Sequence, residues 1–370
     1  MSFKNRLFRY KKPYNTKETN DLFLKAMREN CAFQYENCDD YRRILDKKGF
    51  KPSNLKEYND LAKLPFIPTL YFKQHKMFSM PEHKLLVKAT SSGTSGSKSH
   101  MGFNFGSLYR AFRMALTVGR YHHLFSLKPS HYLIFGYEPN KDNDIVFSKT
   151  AYAFTFMTPA LSRTYALRYT QDGYKLDLEN LKEKLIKYSN GKAPIRTIGF
   201  PAYTYFLLKQ MKEEGIKATL PKGSIMTLGG GWKQFYAERV SKEDFYALVY
   251  EVLGIEDKNI VEFFGAVEHM VLYTDCRCHH FHVPVYGRVI IRDVDTLDPL
   301  ENGQIGLVNL LTPVVDSVPL LSVMTDDLGI LHDEKCPCGV DSPWLEILGR
   351  VGIKDIVTCA AGASELLKAD

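Results

Sequence analysis

The stretch Lys88-Ala89-Thr90-Ser91-Ser92-Gly93-Thr94-Ser95-Gly96-Ser97-Lys98-Ser99-His100 gathers hydroxyl side chains around two glycines. Backbone N–H groups and side-chain hydroxyls in such a run can wrap phosphate oxygens. Gly93 and Gly96 permit positive φ and let an anion approach the main chain where a Cβ would collide. Ahead of the run, Leu85-Leu86-Val87 reads as a short buried strand. Behind it, Leu108, Ala111, Phe112 and Ala115 recur at helical spacing over Ser107–Val118. The expectation is a phosphate loop joining a strand to a helix, not the flexible linker that composition alone suggests. A Walker A loop is excluded, because that motif needs Gly-Lys followed by Ser or Thr and here Ser97 separates Gly96 from Lys98.

Length and composition bound what surrounds this loop. The chain has 370 residues, 45% of them hydrophobic, enough to build one large domain or two. No run of about 18 apolar residues occurs, and the start Met1-Ser2-Phe3-Lys4-Asn5-Arg6 lacks an apolar signal segment. The expectation is a cytoplasmic protein without membrane insertion. The formal charge of +7 is spread over single residues and pairs such as Lys11-Lys12 and Lys47-Lys48, which reads as solvated lysines and not as a nucleic-acid surface. Seven cysteines, an odd count, argue against a secreted disulfide framework. Cys31 and Cys38 read as packing residues in a helical region. Cys276 with Cys278, and Cys336 with Cys338, form two Cys-x-Cys pairs, and Cys359 stands alone.

Along the chain, residues 16–62 read as helices on Leu22, Leu24, Met27 and then Tyr41, Ile44, Leu45. Leu64-Pro65-Phe66-Ile67-Pro68, through to Lys73, reads as an extended lead-in, since two prolines preclude a helix interior. A β/α alternation follows in the strand Tyr132–Tyr137, the strand end Ile198–Pro201 with a helix Ala202–Glu214, and the strand Ser224–Leu228. The last of these ends in Gly229-Gly230-Gly231-Trp232-Lys233, at the carboxyl end of a strand, where open α/β sheets bind ligands. Three glycines there admit a flat base. Ser241-Lys242-Glu243-Asp244 reads as a capping box for a helix through Val252 that stops at Gly254. The strand Asn259–Phe264 delivers Gly265-Ala266-Val267-Glu268 to the same strand-end region, and Glu268 is a hard oxygen ligand of the kind Mg²⁺ takes beside phosphate oxygens. From Tyr286 onward the chain is strand and turn, a β-rich subdomain at about 283–348. It contains Thr325-Asp326-Asp327, whose acids suit ribose hydroxyls, and ends at Leu348-Gly349-Arg350. Separately, Cys276, His282, Cys336 and Cys338 have the ligand types of a structural zinc site, with Cys278 an alternative to Cys276 and His279 or His280 to His282.

Taken in order, the loop Ser91–Ser99, Gly229–Lys233, Phe264–Glu268, Thr325-Asp326-Asp327 and Gly349-Arg350 resemble the motifs of the adenylate-forming superfamily. That superfamily's phosphate loop carries Pro-Lys where this chain has Lys98-Ser99. Within it, the chain looks most like the acyl-protein synthetase, or long-chain fatty acid protein ligase, of luminescence-type fatty acid reductase complexes. Leu64–Pro68 with Phe72-Lys73, Thr90–Gly96, Gly229–Lys233 and Phe281-His282-Val283-Pro284 carry this closer match, over about residues 50–359.

The resemblance implies an α/β fold: an adenylate-forming large domain over residues 1–348, with parallel-rich sheets, helices and the β-rich subdomain, and a truncated C-terminal segment at 349–370. It implies ATP and Mg²⁺ as cofactors, with Ser91, Ser92, Gly93, Thr94, Ser95 and Gly96 around the phosphates and Gly229, Gly230 and Gly231 against adenine. Gly265 belongs to the same nucleotide site, Glu268 goes to magnesium, Asp327 to the ribose, and Arg350 to the nucleotide near the hinge. It further implies that a carboxylic acid, fatty in this family, is activated as acyl-AMP, moved to Cys359 and passed to a partner acyl reductase. The competing readings are a coenzyme A ligase of the phenylacetate type and a non-catalytic nucleotide-binding or scaffolding protein of the same fold.

Overall fold

Side chains of Ser2, Asp177 and Ser241 cap the orphaned main-chain groups at the starts of three helices. The structure, a computed structural model, describes residues 1–90, 100–140, 146–171, 173–232, 235 and 238–350. Two units are present: the first comprises Met1–Tyr121, Gly265–Tyr273 and the chain from His280, and the second His122–Phe264 and Thr274–His279.

The first unit opens with α1 (Phe3–Leu7), where the Ser2 hydroxyl accepts from Asn5 N at 3.2 Å and caps the helix. The helices α2 (Asn20–Asn37) and α3 (Asp39–Lys47) follow, and α2 buries Phe23, Leu24, Met27 and Cys31 along one face. The lead-in after Leu64 is extended only as far as Pro68. Its strand β1 (Ile67–Pro68) pairs in parallel with Val323 and Met324, and α4 (Thr69–Gln74) then begins at once. Pro68 stands just ahead of the first helical turn, where no intrahelical N–H bond is asked of it, so the proline delimits the helix instead of forbidding it.

The Ser/Gly-rich run does not join a strand to a helix. It connects β2 (Val87–Thr90) to an antiparallel β3 (His100–Phe103), with Val87 opposite Phe103 and Thr90 opposite His100. Pairing satisfies main-chain groups that neither four-residue strand could satisfy alone. A close approach fixes the pair: a Cβ on Gly102 would meet Leu85 Cδ1 at 2.5 Å. The helix α5 (Phe105–Tyr121) comes only after this hairpin, and the Asn104 side chain accepts from Ser107 N at 3.1 Å at its start.

The second unit alternates strand and helix: β4 (Ser130–Tyr137), α6 (Val146–Phe154), β5 (Ala160–Thr170), β6 (Gly173–Leu176), α7 (Leu178–Ser189), β7 (Ile195–Gly199), α8 (Pro201–Glu213), β8 (Ile225–Gly229), α9 (Lys242–Leu253) and β9 (Ile260–Ala266). Its strands lie in the order β9-β8-β7-β4-β5-β6, all parallel except for the β5–β6 hairpin. Leu133, Phe135, Leu207, Met211, Met226, Val249 and Val252 form its core between sheet and helices. Burying one such side chain is worth about 1.5–3 kcal/mol. Pro201 is the first residue of α8, Ser241 Oγ accepts from Asp244 N at 3.0 Å to cap α9, and Gly254 ends α9 in the left-handed region at φ 65°.

The first unit resumes with β10 (His269–Asp275), β11 (Phe281–His282), β12 (Arg288–Arg292), β13 (Ile305–Leu311), β14 (Ser322–His332) and β15 (Trp344–Arg350). The order β12-β13-β14-β15-β11 is antiparallel throughout, and β1 shares an edge of β14 with β15.

Three charged groups that the sequence gives no reason to bury hold this unit together. Asp316, between β13 and β14, takes Lys4 Nζ at 2.6 Å on one oxygen and Arg110 Nη2 at 2.5 Å on the other. Lys4 and Arg110 are both buried. Burial alone would raise the Asp316 pKa, but Arg110 and Lys4 outweigh it and hold it below the usual range. A carboxyl depressed in this way stabilises the fold above its unfolded pKa, and the contribution is lost as pH falls through the folded value. Asp316→Asn leaves two buried cations without their counter-charge and should cost about 3–5 kcal/mol at neutral pH. The gap to wild type should close as pH falls below about 4, and urea unfolding of both proteins across that range measures it.

Candidate active site

The predicted phosphate residues Ser91, Ser92, Gly93, Thr94, Ser95 and Gly96 lie outside the described residues. What the structure provides on either side are β2 and β3, followed by a tightly tied helix start. Ser107 donates from Oγ to Asn104 Oδ1 at 2.6 Å and accepts from Asp316 N at 3.0 Å, so the first turn of α5 is bound to the buried ion cluster.

Gly229 is the last residue of β8 and pairs with Phe263 of β9. Gly230 and Gly231 then adopt φ of +79° and +66°, the left-handed region that a side chain resists. A Cβ on Gly231 would meet nothing within 4 Å, so this glycine is required by backbone conformation and not by crowding. Trp232 is buried and packs against Tyr205 and Phe245, at ring separations of 5.5 and 6.3 Å, which anchors the glycine turn to α8 and α9. Lys233 lies outside the described residues.

Gly265 lies near the end of β9 and Glu268 in the two-residue turn before β10, with only 5% of Glu268 exposed. Its neighbour His269, which motif reading passed over, is fully buried. Its Nε2 lies 3.1 Å from Tyr273 Oη, its Nδ1 has no hydrogen-bond partner among the described residues, and burial lowers its pKa to about 3. Nothing but adjacency to Glu268 could have flagged it. Across the β14–β15 ladder, Asp327 stands opposite Arg350, with Arg350 Nε 3.6 Å from Asp327 Oδ1. Asp326, the other acid of the motif, accepts instead from the Thr69 hydroxyl of α4 at 3.4 Å. The alternation of a strand separates the vicinal acids in this way. Cys359 lies outside the described residues.

Of the residues with the ligand types of a zinc site, Cys276 lies in the second unit and His282, Cys336 and Cys338 lie in the first. His282 Nε2 is 3.2 Å from Cys338 Sγ, and its Nδ1 is 3.1 Å from the Ser342 carbonyl. A carbonyl only accepts, so Nδ1 carries the hydrogen and Nε2 presents its lone pair. Burial lowers the His282 pKa to about 4, which keeps the ring neutral. His279, an alternative by sequence, is engaged elsewhere: its nitrogens lie 3.0 Å from Asp275 and 2.8 Å from Asp257. Burial opposes its charged form, yet these carboxylates raise its pKa. His280 sits 3.3 Å from Cys336 Sγ and stacks on Trp344 at 3.7 Å, with His332 on the opposite ring face at 3.7 Å. No periodicity announces that stack.

A cavity of about 400 Å³ in the first unit, lined by Lys17, Tyr58, Arg288 and Leu331 among others, includes none of the predicted site residues. Arg288 there spends its donors on Tyr58 Oη, Gly287 O, Thr16 O and Asn20 Oδ1 and has none to spare for an anion.

Comparison with known proteins bears on this arrangement. The model of the acyl-protein synthetase family LuxE matches residues 7–368. The chain is similar to the long-chain-fatty-acid–luciferin-component ligase of Aliivibrio fischeri, 26% identical over 366 residues, with 96% of this chain and 91% of that protein covered. It is 25% identical to the ligase of the same name from Vibrio harveyi over 369 residues, again covering 96% of this chain and 91% of that protein. Among solved structures, 2-hydroxyisobutyryl-CoA ligase in the postadenylation state with 2-HIB-AMP aligns with a TM-score of 0.69 at 17% identity, covering 93% of this chain and 71% of that one. The fold is that of an adenylate-forming ligase.

The glycine turn gives a direct test of its backbone. Gly231→Ala should cost about 1–2 kcal/mol, the penalty of a left-handed non-glycine residue. Gly229→Ala, where the backbone is extended and the added Cβ would sit 3.5 Å from Phe263 O, should stay within about 0.5 kcal/mol of wild type. Equilibrium unfolding of the two variants decides whether Gly231 is held left-handed.

Proposed function

The chain belongs to the acyl-protein synthetase family LuxE, and from this we infer that it activates a carboxylic acid, in the first instance a fatty acid, as acyl-AMP and then loads it onto Cys359. The acid's carboxylate oxygen attacks the α-phosphorus of ATP, the bond to the β-phosphate oxygen breaks, and pyrophosphate leaves. The Cys359 thiolate, its proton given up to solvent, then attacks the acyl carbonyl, the bond to the AMP oxygen breaks, and a thioester remains for delivery to a partner acyl reductase in the cytoplasm. A thiolate suits this relay because it is nucleophilic near neutral pH and its thioester stays reactive toward the next acceptor.

What carries this reading is the reach of the family match: residues 7–368 take in the phosphate loop, the glycine turn, Glu268, Asp327, Arg350 and Cys359 together. Glu268 would offer one hard oxygen to Mg²⁺, an ion that neutralises phosphate charge and takes one or two carboxylates beside phosphate oxygens. Gly230 and Gly231 would let adenine lie close to the main chain, Asp327 would accept from the ribose, and Arg350 would swing between Asp327 and the nucleotide. Cys359 lies ten positions after Gly349, so the thiol is at most about 35 Å along the chain from that point. Among the described residues no helix is long and apolar enough to cross a membrane.

Pyrophosphate exchange against a panel of carboxylic acids tests the first half-reaction. Wild type should exchange with long-chain acids, and Glu268→Gln should lower the rate on the order of a hundredfold. Absence of exchange with every acid, while a known ligase exchanges in parallel, would remove the enzyme reading. For the second half-reaction, Cys359→Ser should leave exchange intact and abolish hydroxylamine-sensitive labelling by radioactive acid plus ATP. Labelling at the wild-type level would exclude Cys359 as acceptor, and acid-dependent formation of acyl-CoA would replace the protein acceptor with coenzyme A.

A further inference from the structure

We propose that the second unit binds one monatomic anion, chloride, against the Arg196 guanidinium near the start of β7. Arg196 is the second residue of that strand and is only 8% exposed. It stands between Tyr132 of β4 and Ile225 of β8, with Ile198 next along the same face. Its Nη1 donates to the Leu124 carbonyl at 2.6 Å, while its Nε is buried and has no hydrogen-bond partner among the described residues. Arg196 lines a cavity of about 20 Å³ with Tyr132, Phe154, Met157, Ile198 and Ile225. That is room for a single water-sized group.

The charge at this cavity is not balanced from within the unit. A guanidinium is a permanent cation with five donors and no acceptor. Elsewhere in the chain, buried Lys4 and Arg110 meet Asp316, and Arg288 spends its donors on neutral oxygens. Arg196 has neither provision: no carboxylate pairs with it among the described residues, and its Nε hydrogen is idle. Burial pulls its pKa below the ordinary value, with Tyr132 opposing the shift. The polar groups on the cavity wall are already committed. The Tyr132 hydroxyl lies 2.7 Å from Thr158 Oγ1 and accepts from Thr158 N at 3.2 Å, and the Thr227 hydroxyl donates to the Thr197 carbonyl. A buried donor and a buried charge are therefore both left to be satisfied, and each is costly to leave so.

Size and chemistry together select the ligand. Phosphate, sulfate and carboxylate bring several heavy atoms and exceed the space. A water fits, but it carries two more donors to a wall that is short of acceptors. A halide only accepts, supplies the missing negative charge and makes a charge-assisted bond to Nε. The site lies level with Ile225, the first residue of β8, whereas the glycine turn follows Gly229, the last. The ion would thus support the opening ends of the central strands, away from the glycine turn.

Thermal unfolding of the full chain, with chloride replacing gluconate at constant ionic strength, should show a midpoint that rises by about 2 °C or more and then saturates. Bromide should substitute for chloride, and Arg196→Met should lose the response. Wild-type crystals grown in bromide should place an anomalous peak within hydrogen-bond reach of Arg196 Nε, a readout that needs no variant. A flat response in the wild type, an equal response in Arg196→Met, or crystals without a peak at Arg196 overturns the site and leaves the cavity to water. A peak in crystals without a response in solution is binding at crystal concentration only, and it overturns the site as well. None of these readouts involves ATP, so the anion site and the adenylation reading can fail separately.

Discussion

The strand Ser322–His332 is committed on both edges, and the placement of the first unit's site residues depends on that commitment. One edge is taken by Ile305–Leu311. The other is divided: Ile67 and Pro68 pair at Val323 and Met324, and Trp344–Arg350 pairs from Asp327 to His332. A one-residue slip in either register would move every side chain to the opposite face. Asp327 and Arg350 are therefore cross-strand neighbours by register, and Asp326 is turned toward Thr69 for the same reason. The acids of this motif do not share one environment, although they are adjacent in sequence.

Buried charge in this unit is handled in two physically different ways. Lys4 and Arg110 meet a carboxylate, Asp316, so their partnership responds to pH. Arg288 and Arg292 meet neutral oxygens instead. Arg292 donates to Asn309 Oδ1, Leu297 O and Ala62 O and lies 4.9 Å from the Phe66 ring, and Arg288 lies 4.3 Å from the Phe23 ring. Burial depresses the pKa of both guanidiniums, Arg292 to about 10. A guanidinium can be satisfied by carbonyls because its donors are fixed in a planar fork and its charge is delocalised. Such arginines act as rivets between distant segments.

Much of the second unit was legible because its signals are local. The helix after Pro201, the Ser241 cap, the stop at Gly254 and the strand into Gly229 each rest on a few adjacent residues. What escaped reading depends on partners far along the chain. The β2–β3 hairpin exists through pairing, and four residues of alternating pattern cannot announce it. Lys4, Arg110 and Asp316 are separated by hundreds of positions, and no periodicity joins them. The helix after Pro68 was concealed by the proline that starts it. The nucleotide residues were legible as residue types in a certain order. Which of them turn toward one another, as Asp327 toward Arg350 and Asp326 toward Thr69, is a property of strand register that composition cannot encode.

The cysteines sort themselves by chemistry, and the sorting bears on the acyl acceptor. Only a thiolate attacks an acyl carbonyl efficiently. Cys31 and Cys38 are buried, and burial pushes their thiols up, Cys31 to about 12, so neither ionises usefully at neutral pH. Cys276, Cys278, Cys336 and Cys338 sit in two Cys-x-Cys turns in which main-chain N–H groups bond to the sulfurs of Cys276, Cys336 and Cys338. The Cys278 N–H is spent on Cys276 Sγ within its own turn. Cys359, the acceptor of the proposed relay, is followed in sequence by the small residues Ala360, Ala361 and Gly362. In the proposed relay, acyl label that survived the loss of Cys359 would have to sit on a cysteine of the two Cys-x-Cys turns, since Cys31 and Cys38 are buried.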